Sequence, residues 1–443
     1  MRKLILAAFS LIIWPLVVAA CTQPAQQEPQ QPQKTPELKR SAPLPPALTT
    51  FSVARLEHEP GMGAPQNFGD AIALGENVLA VGAPDWNGMP GKQDGTVYTY
   101  EREDGGWFEQ AQLFSSDRES SSQVDQRFGS AVALAGDWLF VGAPDADNPD
   151  DGVDSGAVYI FQESPDGWQQ IQRLSADQPV ANAGFGSHLA VSGDRLAVGE
   201  NYQGDFVYIF QQKSESWSQQ ARLEIPQAAD FERYLFSLAL YGETLALGVQ
   251  YRQGEGEQTL LFSRVLIYEP QEGGWEKIQE LSYGEDTTAG WGEYAMAIAL
   301  DGSRGQAGRL VVGTSSSHAG FAAGAVTVYQ QGASGWEPSA TLTAPDGKAI
   351  ENFGSSLALD GDRLLVGAGA VSEDSFWDGV AYIFEYFEGR WIDQLRLTPP
   401  EDGGFGDFFG AHVAIYNDTC LVSAPNEFGN AVYVYEVGAR PSQ

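Results

Sequence analysis

Residues 128–144 read FGSAVALAGDWLFVGAP and residues 156–174 read GAVYIFQESPDGWQQIQRL. Phe128-Gly129 opens an alternating apolar run that ends at Leu134. A Gly136-Asp137 turn leads to a second run, Leu139 to Val141, closed by Gly142-Ala143-Pro144. Gly156 opens a third run, Val158 to Phe161, and a turn at Asp166-Gly167 leads to a fourth, Trp168 to Leu174. Short apolar runs divided by Gly, Asp and Pro are strands, since these residues favour turns and Pro cannot donate to a ladder. Four such runs in succession predict an up-and-down antiparallel sheet of four strands.

The unit recurs along the chain. Its opening aromatic falls at Phe68, Phe128, Phe185, Tyr234, Tyr294, Phe353 and Phe409, at spacings of 60, 57, 49, 60, 59 and 56 residues. A third strand follows each time, from TVYTY at Thr96 to AVYVY at Ala431. The fourth opens with Trp107, Trp168, Trp217, Trp275, Trp336 and Trp391. Strands one to three thus occur seven times and strand four six times. The missing strand lies at the other end: Phe51 to Leu56 matches the tail of the fourth-strand pattern and precedes the first Phe-Gly. A ring closed by that strand leaves no open sheet to expose free edges. The expectation is an all-β, seven-bladed β-propeller of four-stranded antiparallel blades, spanning residues 48–438. The fourth-strand tryptophans, at one register, are expected to pack between blades.

Residues 1–20 read as a secretory signal. Arg2 and Lys3 precede an uncharged, mostly apolar run from Leu4 to Ala20, short for a stable membrane span. Val18-Ala19-Ala20-Cys21 resembles a bacterial lipoprotein box, which implies a lipid on Cys21. Thr22 stands where an Asp would resemble an inner-membrane retention signal, so the expected location is the outer membrane. Residues 21–47 are rich in Gln and Pro and predict an extended tether; residues 439–443 form a short tail. With Cys21 lipidated, Cys420 has no intrachain partner and is expected to be a small buried hydrophobe.

The chain of 443 residues is 43% hydrophobic, enough to bury a core without disulfides, and its net charge of −34 lies on the propeller. Such a surface repels phosphate backbones and excludes nucleic acid as a partner. The four histidines form no catalytic or zinc constellation: His58 and His318 fall in loops. His188 and His412 share one register in the first strands of blades 3 and 7; a pH-sensitive or metal-binding pair near the hub is one reading, but the other five blades have Ala or Ser there and the coincidence is read as chance.

FGSAVALAGDWLFVGAP followed by GAVYIF and WQQIQRL resembles the FG-GAP repeat, the repeat of integrin α-chain propellers and of many bacterial surface proteins. The resemblance runs from about Phe51 to Val437 and is closest to the bacterial subtype with a Trp-Xaa-Gln strand, as in Trp168-Gln169-Gln170. Blade 4 departs, with Tyr234-Leu235 for Phe-Gly, and blade 5 has Gly313-Thr314-Ser315 for Gly-Ala-Pro. The resemblance implies a binding or adhesion role. Calcium loops of the integrin type, between strands one and two, do not carry over. That connection is usually a tight turn here, and its one long version, Asp301 to Arg309, has a single carboxylate. The acidic run Asp145, Asp147, Asp150, Asp151, Asp154 lies between strands two and three. It has carboxylates enough for calcium without the usual spacing, and is read as a solvated loop. No cofactor is expected.

In an up-and-down blade, the connections between strands two and three share one face with those leading to the next blade. Irregular residues collect there: Asp85, Trp86 and Asp94 in blade 1, the acidic run in blade 2, Trp291 before blade 5, and Asp374, Phe376, Trp377 and Asp378 in blade 6. Trp anchors interfaces and stacks on sugars, and carboxylates suit basic groups or sugar hydroxyls. The expected function is a non-enzymatic, membrane-anchored scaffold that grips a protein or glycan at the cell envelope through this face. The alternatives are a propeller enzyme acting on polysaccharide or peptide, and a structural envelope protein without a specific ligand.

Overall fold

The computed structural model describes residues 47–57, 67–85, 93–117, 125–148, 153–201, 206–228, 230–254, 260–284, 294–302, 308–316, 323–346, 352–369, 379–400, 408–425 and 430–439. The signal, Cys21, almost all of the tether, and the tail beyond Ala439 lie outside them. Blade 1 comprises Ala71–Leu74, Val78–Ala83, Gln93–Glu103 and Gly106–Leu113. Blade 2 comprises Ala131–Ala135, Trp138–Ala143, Ala157–Ser164 and Gly167–Leu174. Blade 3 comprises His188–Ser192, Arg195–Gly199, Phe206–Lys213 and Ser216–Glu224. Blade 4 comprises Glu232–Tyr241, Thr244–Gln253, Leu260–Gln271 and Gly274–Tyr283. Blade 5 comprises Tyr294–Asp301, Arg309–Ser316, Ala323–Gly332 and Gly335–Leu342. Blade 6 comprises Ser356–Asp360, Arg363–Ala368, Val380–Phe387 and Arg390–Leu397. Each is an antiparallel meander, to which blade 1 adds Asp125–Phe128 in parallel with Gln93–Glu103, and no helix occurs among the described residues.

Blade 7 draws on both ends of the chain. Val413–Tyr416, Thr419–Ala424 and Ala431–Ala439 supply three strands, and Leu48–Glu57 pairs antiparallel with the last of them. Leu48 faces Ala439 and Glu57 faces Ala431, with a register shift between Thr50 and Ser52. The N-terminal strand therefore closes the ring. Each first strand packs against the first strand of the next blade, and the seventh returns to the first.

The core is divided among the seven blade interfaces, one apolar cluster to each. The cluster between blades 2 and 3 joins Phe140, Val158, Ile160 and Leu174 to Leu196, Val198, Tyr208 and Trp217. The cluster at the closing seam joins Leu56, Leu421, Val432 and Val434 to Phe68, Leu79, Val81 and Tyr98. All six fourth-strand tryptophans pack against the preceding blade, as expected. Cys420 is buried within the cluster between blades 6 and 7, where burial pushes its thiol up to about 12.

The Phe-Gly signature latches neighbouring blades. Phe68, Phe128, Phe185, Phe353 and Phe409 are fully buried. Each meets a third-strand tyrosine of its own blade, Phe185 meeting Tyr208 at 5.2 Å between ring centroids. Burying such a ring contributes about 1.5–3 kcal/mol. The glycine serves the backbone. A Cβ on Gly142 would sit 2.0 Å from the Gly186 carbonyl oxygen of the next blade, so only glycine allows that approach. Gly186 itself has φ +95°, which other residues rarely adopt. Blades 4 and 5 lack this glycine and solve the junction differently. Their first strands begin earlier and absorb the extra residue as a bulge at Phe236 and Met296.

Candidate functional site

The two faces of the ring differ in how they are built. First-to-second-strand turns crowd one face, and several are tied to the next blade. Arg195 of blade 3 pairs with Glu243 of blade 4 at 2.9 Å. Arg309 of blade 5 donates to the Gly361 carbonyl and to Asp362 of blade 6, both at 2.8 Å. Arg363 of blade 6 donates to the Asn417 carbonyl at 3.0 Å and pairs with Asp418 of blade 7. Asp301, the lone carboxylate of the longest such connection, accepts from the Gly361 amide. Several side chains of the hairpin face thus hold neighbouring blades together, while Phe51 and Tyr241 stand exposed there.

The opposite face carries the long connections. Of the residues singled out there from sequence, Asp85, Asp94, Asp145, Asp147 and Asp154 are described. Trp86, Asp150, Asp151, Trp291, Asp374, Phe376, Trp377 and Asp378 lie outside the described residues. Asp85 accepts from the Asn67 side chain and lies 3.6 Å from Arg127. Asp94 is buried, with 4% of its surface exposed. Asp145 is half-buried. Asp147 accepts from the Asp154 amide at 3.0 Å, and its main-chain oxygen accepts from Arg173 at 2.8 Å. Arg173 also lies 3.2 Å from Asp117, which accepts from the buried Tyr159 hydroxyl at 2.8 Å. The acidic loop is therefore tied to the blade beneath it. Burial, with Asp147 adding to it, raises the Asp154 carboxyl above its usual range. No group of three or more potential metal ligands occurs among the described residues. Val153 and Val180 are exposed on this face, and the Val153 carbonyl accepts from the Asn182 amide two residues after Val180.

A cavity of about 410 Å³ occupies the hub, lined by all seven first strands and the residues just before them. These strands run from the long-loop face toward the hairpin face, so successive residues lie progressively deeper. The outer level is polar: Asp70, Ser130, Ser187 and Ser355 follow the Phe-Gly pairs of blades 1, 2, 3 and 6, with Phe236 in blade 4. The next level holds His188 and His412 with Ser237 and Ser356. The level below is aliphatic in every blade, from Ile72 through Leu189 and Leu238 to Val413. The shared register of His188 and His412 places both in this cavity. Enclosure by the ring pushes His188 down to about 4. Burial lowers His412 in the same direction, also to about 4. Burial pushes Asp70 up to about 6; Asp85 adds to the shift and Arg127 opposes it. Asp70 and the serines escape notice in the sequence because each is one small polar residue just before a strand. Their common offset from Phe-Gly is the signal that finds them.

Four segments, residues 107–161, 168–210, 336–384 and 391–435, match the family described as FG-GAP repeat. No curated protein matches the chain. Among solved structures, a chain of the mitotic checkpoint complex is 12% identical with a TM-score of 0.51, covering 89% of this chain and 96% of that one. Two proteins described as putative 6-phosphogluconolactonases are each 12% identical. The one from Bacteroides uniformis has a TM-score of 0.45 and covers 74% of this chain and 85% of that one. The one from Bacteroides fragilis has a TM-score of 0.44 and covers 74% and 84%. At such identity the first of these likenesses concerns the fold alone. Strand order and ring closure make the chain a seven-bladed β-propeller, and four of its segments match the FG-GAP repeat.

Proposed function

We propose that this propeller is a non-enzymatic binding scaffold, anchored to the bacterial cell envelope through Cys21, that engages a protein or glycan through its long-loop face. The observation that carries the reading is the contrast between faces. Arg195, Arg309 and Arg363 spend their charge on neighbouring turns of the hairpin face. The long-loop face keeps exposed Val153 and Val180 beside carboxylates. Chain direction supports the same reading. Leu48, the first residue of the closing strand, pairs with Ala439 at the hairpin end of blade 7. The described chain enters the ring at that end, opposite the long connections.

Two experiments test this. Cys21→Ser should release a soluble protein, and mass spectrometry should find lipid on Cys21 in the membrane-bound form; an unmodified Cys21 there overturns the anchor. A glycan array and a pull-down from envelope extracts should yield a partner whose binding falls by about 1–3 kcal/mol in Trp86→Ala and Trp377→Ala. Loss from Gly136 or Asp137 substitutions on the hairpin face, with none from these tryptophans, moves the site. Release of soluble fragments from an envelope polysaccharide by the purified protein would favour an enzyme instead.

A further inference from the structure

We infer that the hub cavity is a binding site for one neutral sugar unit, its hydroxyls bonded to His188, His412 and Asp70 and its apolar face resting on the aliphatic level below. Four observations carry this.

The first is size. At about 410 Å³ the cavity falls within the roughly 300–1,000 Å³ typical of small-molecule sites, at the low end. It suits a single ring better than a chain.

The second is the layering. Hydroxyls and imidazoles lie toward the long-loop face, and an unbroken aliphatic level lies beneath them. A pyranose has the same division, with hydroxyls at its rim and C–H groups on its faces.

The third is an unmet bond. The His188 ring donates toward the Phe236 carbonyl, while its Nδ1 is shielded and has no partner. That leaves Nδ1 as an acceptor in an enclosed place, which is costly unless a donor arrives. Nδ1 has no surface open to the cavity, so the imidazole must turn to present it to a sugar hydroxyl, which accepts from a serine hydroxyl in turn.

The fourth is charge. Among the described residues no Lys or Arg lines the cavity, so a phosphate or carboxylate ligand would enter without a counter-charge from them. No three-ligand metal group is present among the described residues. With both imidazoles neutral at neutral pH, Asp70 is the one ionisable acid among the described residues of the wall. A neutral ligand rich in hydroxyls fits this set best.

The site is distinct from the loop-face partner site, and its test separates the two. The full-length protein is examined by saturation-transfer NMR with free glucose, galactose, rhamnose and N-acetylglucosamine as probes. At least one should bind, with a Kd on the order of 1 mM. His188→Leu should weaken that binding about tenfold or more. His412→Phe, which fills the cavity from another wall, should abolish it. Trp86→Ala and Trp377→Ala should leave it unchanged. In the unsubstituted protein, the bound probe should shift the ring resonances of His188 and His412, a readout that needs no variant to fold. The proposal is overturned if no probe binds, if binding survives both histidine changes, or if bound probe leaves both rings unshifted.

Discussion

The side-chain amide of Gln172 in blade 2 bonds both main-chain groups of Trp217 in blade 3. Its oxygen accepts from the Trp217 N–H at 2.9 Å, and its nitrogen donates to the Trp217 carbonyl at 2.9 Å. Gln279 of blade 4 treats Trp336 of blade 5 the same way, at 2.7 and 2.8 Å. The tryptophan lies on an outer strand whose far edge has no strand beside it. A glutamine from the preceding blade therefore satisfies groups that would otherwise invite pairing. Fourth-strand Trp and Gln thus act as a pair across the interface.

This pairing makes Gln172→Ala a sharp probe. It should destabilise the propeller by about 1–2 kcal/mol, because two hydrogen bonds vanish and a partly shielded edge is left to water. Gln169→Ala, exposed on the same strand, should stay within about 0.5 kcal/mol. Urea unfolding of the two variants distinguishes them.

Glycine at the blade junction should be irreplaceable, and glycine in the turn much less so. A Cβ on Gly142 would meet the Gly186 backbone, which no side-chain rotation relieves. Gly142→Ala should cost more than about 4 kcal/mol or prevent folding. Gly136 has φ +56° and no atom within 4 Å of its missing Cβ. Gly136→Ala should cost only about 1 kcal/mol, from backbone strain alone. Thermal melts and soluble yield measure both.

Removing Thr49 to Glu57 should open the ring. The deletion strips most of the pairing between Leu48–Glu57 and Ala431–Ala439 and takes Leu56 from the seam cluster. It exposes a strand edge while weakening the blade 7 to blade 1 interface. The expected result is a broadened calorimetric transition or aggregation during size-exclusion chromatography. A sharp, unshifted melt would show that three strands suffice for blade 7.

Acid should act through the hub. His188 is lowered from its ordinary 6.5 to about 4, so between those values the unfolded chain holds more protons and stability falls as pH drops. His412, shifted the same way, adds to that loss. Asp70 is raised from 3.8 to about 6, so across that span the folded state holds more protons and Asp70 favours lower pH. His188→Gln should flatten the fall in melting temperature between pH 6.5 and pH 4. Asp70→Asn should steepen it, and should stabilise the protein at pH 7 by about 1 kcal/mol after screening is allowed for. Melting temperatures across that pH range decide both.

The legibility of this chain follows from where each signal resides. Phe128-Gly129, Gly142-Ala143-Pro144 and Trp168 mark strand starts, ends and buried edges, and all of these are local. Spacing then counted the blades, and the odd Phe51–Leu56 strand told how the ring closes, because a missing unit at one end matched a surplus unit at the other. Blade 4 kept its strand order despite losing Phe-Gly, since a bulge at Phe236 replaces the turn. The register of His188 and His412 was equally readable, as strands of one repeat superpose by position.

What the sequence alone determined is the ring: seven alternating patterns, each with one apolar face, have few ways to bury themselves except against one another. What only the tertiary structure decided is which polar side chains meet. Gln172 reaches Trp217, and Arg309 reaches Asp362, across blade boundaries. Asp70 feels Asp85 although the two belong to different connections, and seven first strands, each ordinary by itself, enclose one cavity. The physical reason is that hydrophobic periodicity repeats within each strand and is written in local order. A hydrogen bond, an ion pair or a pocket depends on distances between segments far apart in the chain, which exist only once the ring has closed.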